Sequence, residues 1–261
     1  MFSLAVVMPV FNEGDGLSET LRELEKVGIL SDSQIHLFIQ DDMSNDDSLE
    51  IIRSFQSERY LLHLESNSVR LGHGPSVLRG YERAVDCCPD VTVQLDGDGQ
   101  FRSEDVVRLI STVRNGMNFV LATRTHRSSP GYRRLATRSL RLLCVFLFKT
   151  KFADVNSPIR AFNTQFLAKL LPFIPKDSAM TNVYLSVLSS HSTPLVGAIE
   201  VVEQTRRGRH QEGSTWRSAR SDFFSSYRFI RFALRSMSEV LRFRLKVFPR
   251  SRELVTPSEK E

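Results

Sequence analysis

Two carboxylates one residue apart, Asp96 and Asp98, close an apolar run, Val91-Thr92-Val93-Gln94-Leu95, and are followed by Gly99-Gln100. The run reads as a buried strand, apolar and β-branched. Gly97 and Gly99 let the backbone bend so that both carboxylates turn toward one point. Hard oxygen ligands gathered at a strand's C-terminal end suit Mg²⁺ or Mn²⁺. Such ions seldom accept an all-protein cage and usually also hold substrate phosphates. The competing use of the same residues is an Asp-Gly turn.

The elements that must position these groups precede them. Residues 5–10 form a first strand ending in the polar turn Phe11-Asn12-Glu13, and Leu17, Leu21 and Leu24 follow at helical spacing. Ile35–Ile39 is a second strand, ending in Gln40-Asp41-Asp42-Met43-Ser44-Asn45-Asp46-Asp47-Ser48. Next come a strand at 60–64, a Gly72-His73-Gly74 loop and a helix at 76–85. Acidic residues just past strands of an open parallel sheet lie where such sheets bind ligands. Further strands are expected at 120–123, 160–162 and 195–202. Helices are expected at 133–148, 164–171, 178–190 and 222–248, separated by loops at 126–132 and 151–158. Strand–helix alternation predicts an α/β fold with a mostly parallel sheet.

These residues resemble family 2 glycosyltransferases of the GT-A fold. The opening pattern of that family matches Met8-Pro9-Val10-Phe11-Asn12-Glu13, and its second acidic motif matches Asp41-Asp42-Met43-Ser44-Asn45-Asp46. Its Gly-x-Gly and Asp-x-Asp motifs match Gly72-His73-Gly74 and Asp96-Gly97-Asp98. Gln100 and Phe101 extend the match toward the polyprenyl-phosphate sugar transferases, such as dolichol-phosphate mannose synthase. That branch has Asp-x-x-Ser-Gly-Phe-Arg where this chain has Asp154-Val155-Asn156-Ser157-Pro158-Ile159-Arg160. Its Arg-x-x-Gly-x-Ser is approximated by 209–214. The resemblance spans about residues 4–215. It implies a Rossmann-like nucleotide-binding half with helices on both faces of the sheet.

It also implies an inverting transfer of a sugar from a UDP-, GDP- or dTDP-sugar to a dolichyl or undecaprenyl phosphate. Asp98 and Gln100, helped by Asp96, would hold the Mg²⁺ or Mn²⁺. Pro9, Phe11, Glu13, Asp42 and Ser44 would line the nucleoside pocket, with Phe11 stacked on the base. Arg124, Arg138, Arg160 and Arg209, with Ser214, would grip donor or acceptor phosphates, since guanidinium forks suit phosphate oxygens. An anionic phosphate acceptor needs positioning and no base, whereas a sugar hydroxyl needs one, for which Asp154 is the candidate. The alternatives are a family 2 enzyme with a soluble or polysaccharide acceptor, a nucleotidyltransferase, and a non-catalytic nucleotide-sugar binder. The nucleotidyltransferase wants a Gly-rich loop with Lys near the first strand; Asn12-Glu13-Gly14-Asp15-Gly16 is acidic instead.

Charge is unevenly distributed. Residues 106–153 carry ten Arg or Lys and no Asp or Glu, and residues 206–252 carry thirteen against Glu212, Asp222 and Glu239. The motif-bearing first half is acidic, and the basic part would face a polyanion such as phosphates or a membrane surface. No zinc spacing, helix-turn-helix or RNA-binding aromatic motif points to nucleic acid. The longest unbroken apolar run, Leu142–Phe148, is far short of a membrane span. Met1-Phe2-Ser3 shows no basic leader, and Cys87, Cys88 and Cys144 make no metal spacing. A cytoplasmic protein, peripheral at a membrane's inner face, is therefore expected.

The expected organisation is a catalytic domain at 1–218, a basic amphipathic helix at 219–248 and a disordered tail at 249–261. In the helix, Phe223, Tyr227, Ile230, Leu234, Met237 and Leu241 form one apolar stripe, expected to face the domain. Phe229, Phe232 and Phe243 fall opposite, flanked by arginines, and are expected at an anionic membrane, the alternative being a helix clamped between the domain and a dimer partner. Burial of that aromatic face within the domain would instead favour the soluble acceptor.

Overall fold

The computed structural model describes residues 2–55, 57–125, 131–205 and 222–251, with side chains throughout except those of Asp15, 131–137 and 222–233. Strand β1 (Leu4–Val10) is buried along its whole length because helices cover the sheet on both sides. Its residues alternate between two cores. Ala5 and Val7 join the core formed with α3 (His73–Asp86), α5 (Gly131–Phe148), α6 (Thr164–Leu170), α7 (Thr181–Ser192) and α8 (Asp222–Lys246). Leu4, Val6, Met8 and Val10 join the core formed with α1 (Gly14–Leu30), α2 (Ser48–Ser54) and α4 (Ser103–Arg114).

The seven-stranded sheet has the order β3-β2-β1-β4-β6-β5-β7. The other strands are β2 (Ile35–Asp41), β3 (Tyr60–Ser66), β4 (Val91–Gln94), β5 (Phe119–Arg124), β6 (Arg160–Asn163) and β7 (Val196–Val201). β6 runs antiparallel between β4 and β5, and all other pairs are parallel. The expected α/β class and mostly parallel sheet are what the chain adopts. Pro9 is tolerated in a central strand because the β4 ladder ends at Val7 while the β2 ladder continues.

Three local departures have identifiable causes. α3 begins at His73, inside the stretch read as a loop, because Pro75 falls in the first helical turn, where a missing N–H breaks no bond. α2 and α4 add to the helices that periodicity picks out. The third departure is α8, whose faces are reversed. Phe243 is only 2 % exposed and stacks on Tyr184 with ring centroids 3.9 Å apart, while Leu234, Met237 and Leu241 are exposed. With both faces apolar, periodicity does not say which one meets α7. Val240, Phe243 and, just beyond the helix, Phe248 belong to the same core as α3 and α7. The side chains of Phe229 and Phe232, and residues 252–261, fall outside what is described. No helix among the described residues is long and apolar enough to cross a membrane.

Glu23 of α1 ties two helices together. Its Oε1 accepts from the backbone N and the Oγ of Ser103, the first residue of α4, at 3.0 and 2.9 Å. Burial alone would raise its pKa, but Lys26 and Ser103 outweigh that and bring it from 4.5 to about 2. A carboxyl with a depressed folded pKa stabilises above its unfolded pKa, and the benefit disappears as pH falls toward the folded one. Glu23→Gln should therefore lower stability at pH 7 by about 1–2 kcal/mol. In melts followed by circular dichroism, the gap to wild type should close as pH drops from 4.5 toward 2. A gap independent of pH across that window would show that charge plays no part.

Candidate active site

The turns after β1 and β2 are fastened to each other by backbone donors and short polar side chains. Asn12 N donates to Ser44 Oγ at 3.0 Å, Glu13 N to Ser48 Oγ at 2.9 Å and Gly14 N to Asp46 Oδ2 at 3.0 Å. In return, Asn45 N donates to Asn12 Oδ1 at 2.9 Å. Asn12 and Met43 adopt positive φ, 53° and 65°, which lets both chains turn sharply. Asp41 accepts from Ser44 N and closes the second turn. The two sequence motifs thus become one surface, with Phe11 and Glu13 on one lip and Asp42 and Ser44 on the other.

Asp42 is buried, and its oxygens accept from Leu71 N at 2.7 Å, Gly72 N at 2.8 Å and Asn67 Nδ2 at 3.0 Å. Asn67 is itself a hub, bonded to Gln40, Ser76 and Arg79. This network seats the 67–72 loop so that the Arg70 guanidinium lies 3.8 Å from the centroid of the Phe11 ring. Sequence reasoning gives Phe11 to a base and does not find Arg70, which no motif marks. It also gives Asp42 a nucleoside contact, and the carboxylate's backbone bonds were not legible there.

The Asp-Gly-Asp turn follows β4. A side chain at Gly97 would press on Val10 Cγ2 at 3.3 Å, whereas Gly99 supplies the turn, with φ 68°. Asp96 and Asp98 are partly exposed. His73 Nε2, at the start of α3, lies 3.0 Å from Asp96 Oδ1. The Asp96 carboxylate beside it raises the pKa of the half-exposed imidazole. Asp98 Oδ1 accepts from Gln100 N, and Gln100 Nε2 donates to Gln204 O at 3.2 Å, leaving Oε1 as the ligating atom of that amide. Two carboxylates and an amide oxygen are the donor chemistry a hard divalent ion takes when it shares its coordination with a diphosphate. The described residues contain no group of three or more His, Cys, Asp or Glu side chains arranged to enclose a metal. An ion here would draw only part of its coordination from the protein.

The expected arginines part company. Arg124 ends β5 with Nε 2.8 Å from Asp154 Oδ2 and Nη1 3.0 Å from Glu203 Oε1. Burial opposes its charge, and the two carboxylates outweigh burial and raise its pKa. Asp154, the candidate base, is buried with both oxygens facing this guanidinium. Arg160 is wholly buried and donates to Ser157 O, Asn182 O and Ser186 Oγ, so it fastens the 154–160 loop to α7 and does not present itself to a phosphate. Burial pushes its pKa down to about 10. Arg138 is exposed on α5. Arg209 and Ser214 lie outside the described residues. Glu203 and Gln204, which follow β7 and touch Arg124 and Gln100, carried no sequence signal because only the sheet order brings them there.

Asp42→Ala would leave two backbone donors without their acceptor and take from Asn67 Nδ2 one of its two. The expected loss is about 2–4 kcal/mol in urea unfolding. An unchanged midpoint would mean the 67–72 loop is held by other contacts.

Comparison with known proteins identifies the family and the fold. A family model described as glycosyl transferase family 2 matches residues 5–186. Undecaprenyl-phosphate 4-deoxy-4-formamido-L-arabinose transferase of Pectobacterium atrosepticum is 26% identical over 175 residues, 65% of this chain and 51% of that protein. The protein of the same name from Pseudomonas savastanoi is 25% identical over 170 residues, 64% of this chain and 49% of that one. The chain thus spans about half the length of these relatives. Among solved structures, glucosyl-3-phosphoglycerate synthase from Mycobacterium tuberculosis, in complex with Mn²⁺, UDP-glucose and phosphoglyceric acid, matches with TM-score 0.60. It is 18% identical and covers 80% of this chain and 73% of its own. S. aureus TarS 1–349 in complex with UDP-GlcNAc matches with TM-score 0.57 at 14% identity, over 89% of this chain and 66% of its own. The likeness to these solved glycosyltransferases is one of fold, the GT-A fold expected from the sequence. With the matched segment running from β1 into α7, and so containing all three acidic strand ends, the chain belongs to glycosyl transferase family 2.

Proposed function

We propose that this protein transfers a sugar from a nucleotide-sugar donor to a polyprenyl phosphate, with inversion, at a membrane surface. The observation that carries the reading is that β1 lies between β2 and β4, so that the turns bearing Phe11 and Glu13, Asp42 and Ser44, and Asp96 and Asp98 follow three successive strands at one edge of the sheet, with Glu13 packed toward Gly97. Burial of Phe243 taken alone counts toward a soluble acceptor; the side chains of Phe229 and Phe232 lie outside those described, and the relatives named for undecaprenyl-phosphate transfer carry the acceptor class. Solved neighbours holding UDP, UDP-glucose or UDP-GlcNAc support the donor class.

In this mechanism Pro9, Phe11, Glu13, Asp42 and Ser44 hold the nucleoside. Arg70 leaves the Phe11 ring or sandwiches the base against it. Asp96, Asp98 and Gln100 would hold Mg²⁺ or Mn²⁺, which neutralises the charge growing on the leaving diphosphate. A phosphate oxygen of the acceptor attacks the anomeric carbon from the face opposite the diphosphate. The new C–O bond forms as the old one breaks, and its electron pair leaves with the nucleoside diphosphate. The acceptor oxygen is already anionic, so no side chain need take a proton. That agrees with an Asp154 clamped by Arg124 and supports a phosphate over a hydroxyl acceptor. Arg138 and, beyond the described residues, Arg209 and Ser214 remain the proposed acceptor grip.

Two experiments check the reading. A thermal-shift panel of UDP-, GDP- and dTDP-sugars with Mn²⁺ should raise the melting temperature for one donor class. Asp98→Ala should fold normally, lose that shift and lose turnover; retention of both would reject the metal-assisted donor site. Asp154→Asn, assayed with a short-chain polyprenyl phosphate in detergent, should lose less than about tenfold in turnover. Removal of a general base costs ~100-fold or more, and a loss of that size would point to a hydroxyl acceptor.

A further inference from the structure

α5 and α8 are neighbours on the outside of the domain. Arg244 Nε donates to Leu147 O at 2.9 Å, and Phe148 meets Phe243 with centroids 6.1 Å apart. Their inner faces, Cys144 and Phe148 on one and Val240 and Phe243 on the other, lie in the core. Each helix also carries a second apolar stripe that the core does not use. On α5 it is Leu142, Val145 and Phe146, with Phe146 83% and Leu142 68% exposed. On α8 it is Leu234, Met237, Leu241 and Leu245, with Leu245 75% and Leu234 62% exposed. The three- and four-residue spacing puts each set on one helix face. Scattered exposed leucines need no explanation, but two adjoining stripes do.

The charges around the stripes select the partner. Arg138, Arg141, Arg235, Arg242 and Lys246 are exposed on these two helices, and Lys149 follows α5 directly. The one carboxylate among the described side chains of the two helices, Glu239, is held at their flank, accepting from Ser178 Oγ, Ala179 N and Arg235 Nε. An apolar stripe rimmed by cations is built for an interface with acyl chains below and anionic headgroups around it.

The helix that carries the second stripe is also tied to the approach of the site. Glu239 fastens α8 to Ser178 and Ala179. The Ser178 carbonyl packs so closely on Gly74 that a Cβ there would come within 2.2 Å of it. Gly74 follows His73, which holds Asp96.

We infer that the outward stripes of α5 and α8 are the surface by which this protein lies on an anionic bilayer. The inference rests on the proposed lipid-phosphate acceptor, which is itself held in a bilayer. It replaces the aromatic face expected from the sequence, of which Phe243 is in the core.

The test is sedimentation of the whole chain with phosphatidylglycerol-containing vesicles and with pure phosphatidylcholine vesicles. Wild type should pellet with the anionic vesicles, weakly with the neutral ones, and less in high salt. Leu142→Ser/Phe146→Ser/Leu241→Ser/Leu245→Ser changes only exposed positions and should cut partition by roughly tenfold or more, while keeping its melting temperature and donor-induced shift. Arg242→Gln/Lys246→Gln should cut it about fivefold per charge. Wild type that never pellets, or a serine variant that pellets equally, overturns the inference. Light scattering that shows a wild-type dimer and a monomeric serine variant, without vesicle binding, also overturns it, in favour of an interface between copies. If the vesicle results hold while no donor shift or transfer is found, the surface stands and the proposed activity falls. Because wild-type lipid and salt dependence is read separately, the test survives a variant that does not fold.

Discussion

The carboxylate of Asp42 is the fixed point of the donor site. It comes off the end of β2 and takes three donors from the chain between β3 and α3, two of them backbone N–H groups. Buried backbone donors must find acceptors, and few groups satisfy several at once as well as an ionised carboxylate. Because Asp42 does so, the 67–72 loop has one position. That position lays Arg70 on Phe11 and starts α3 where His73 reaches Asp96. The β1, β2 and β4 ends are therefore linked across the sheet edge, and the proposed nucleoside and metal parts of the site depend on one arrangement.

A second set of buried polar groups does the same on the other side of β4. Arg160, with no exposure at all, bonds the 157 carbonyl to α7. Arg124 is held between Asp154 and Glu203. A buried guanidinium without such partners would carry a large desolvation cost. Their presence indicates that these arginines order loops around the site, leaving phosphate contact to more exposed cations. The chemistry follows from this assignment: a carboxylate locked on Arg124 is poorly placed to take a proton, and a phosphate acceptor does not ask it to.

α7 joins these parts to the outer helices. Its N-terminal approach, Ser178–Ala179, packs on Gly74 and is gripped by Glu239 of α8, so α8 and the candidate site share one junction. Packing this close leaves no room for adjustment at Gly74, which is why glycine stands there irrespective of turn geometry.

Much of this was readable from residues alone. Strand and helix order, the parallel character of the sheet, the family and the three acidic strand ends all follow from local signals: β-branched runs, 3.6-residue spacing and short motifs read along one chain. Which residues serve as ligands and which as fasteners did not follow. Arg124, Arg160 and Asp154 look alike as isolated charges, and only the antiparallel insertion of β6 between β4 and β5 buries two of them and pairs the third. Arg70 and Glu203 belong to no pattern, because their partners are brought near by sheet order and not by spacing. α8 is the clearest case. Its sequence is apolar on two faces, so its amphipathic pattern fixes that it is a helix but not its rotation. That was decided by a cavity of the right shape beside Tyr184 and Phe148, which Phe243 fills and which exists only once α5 and α7 have packed.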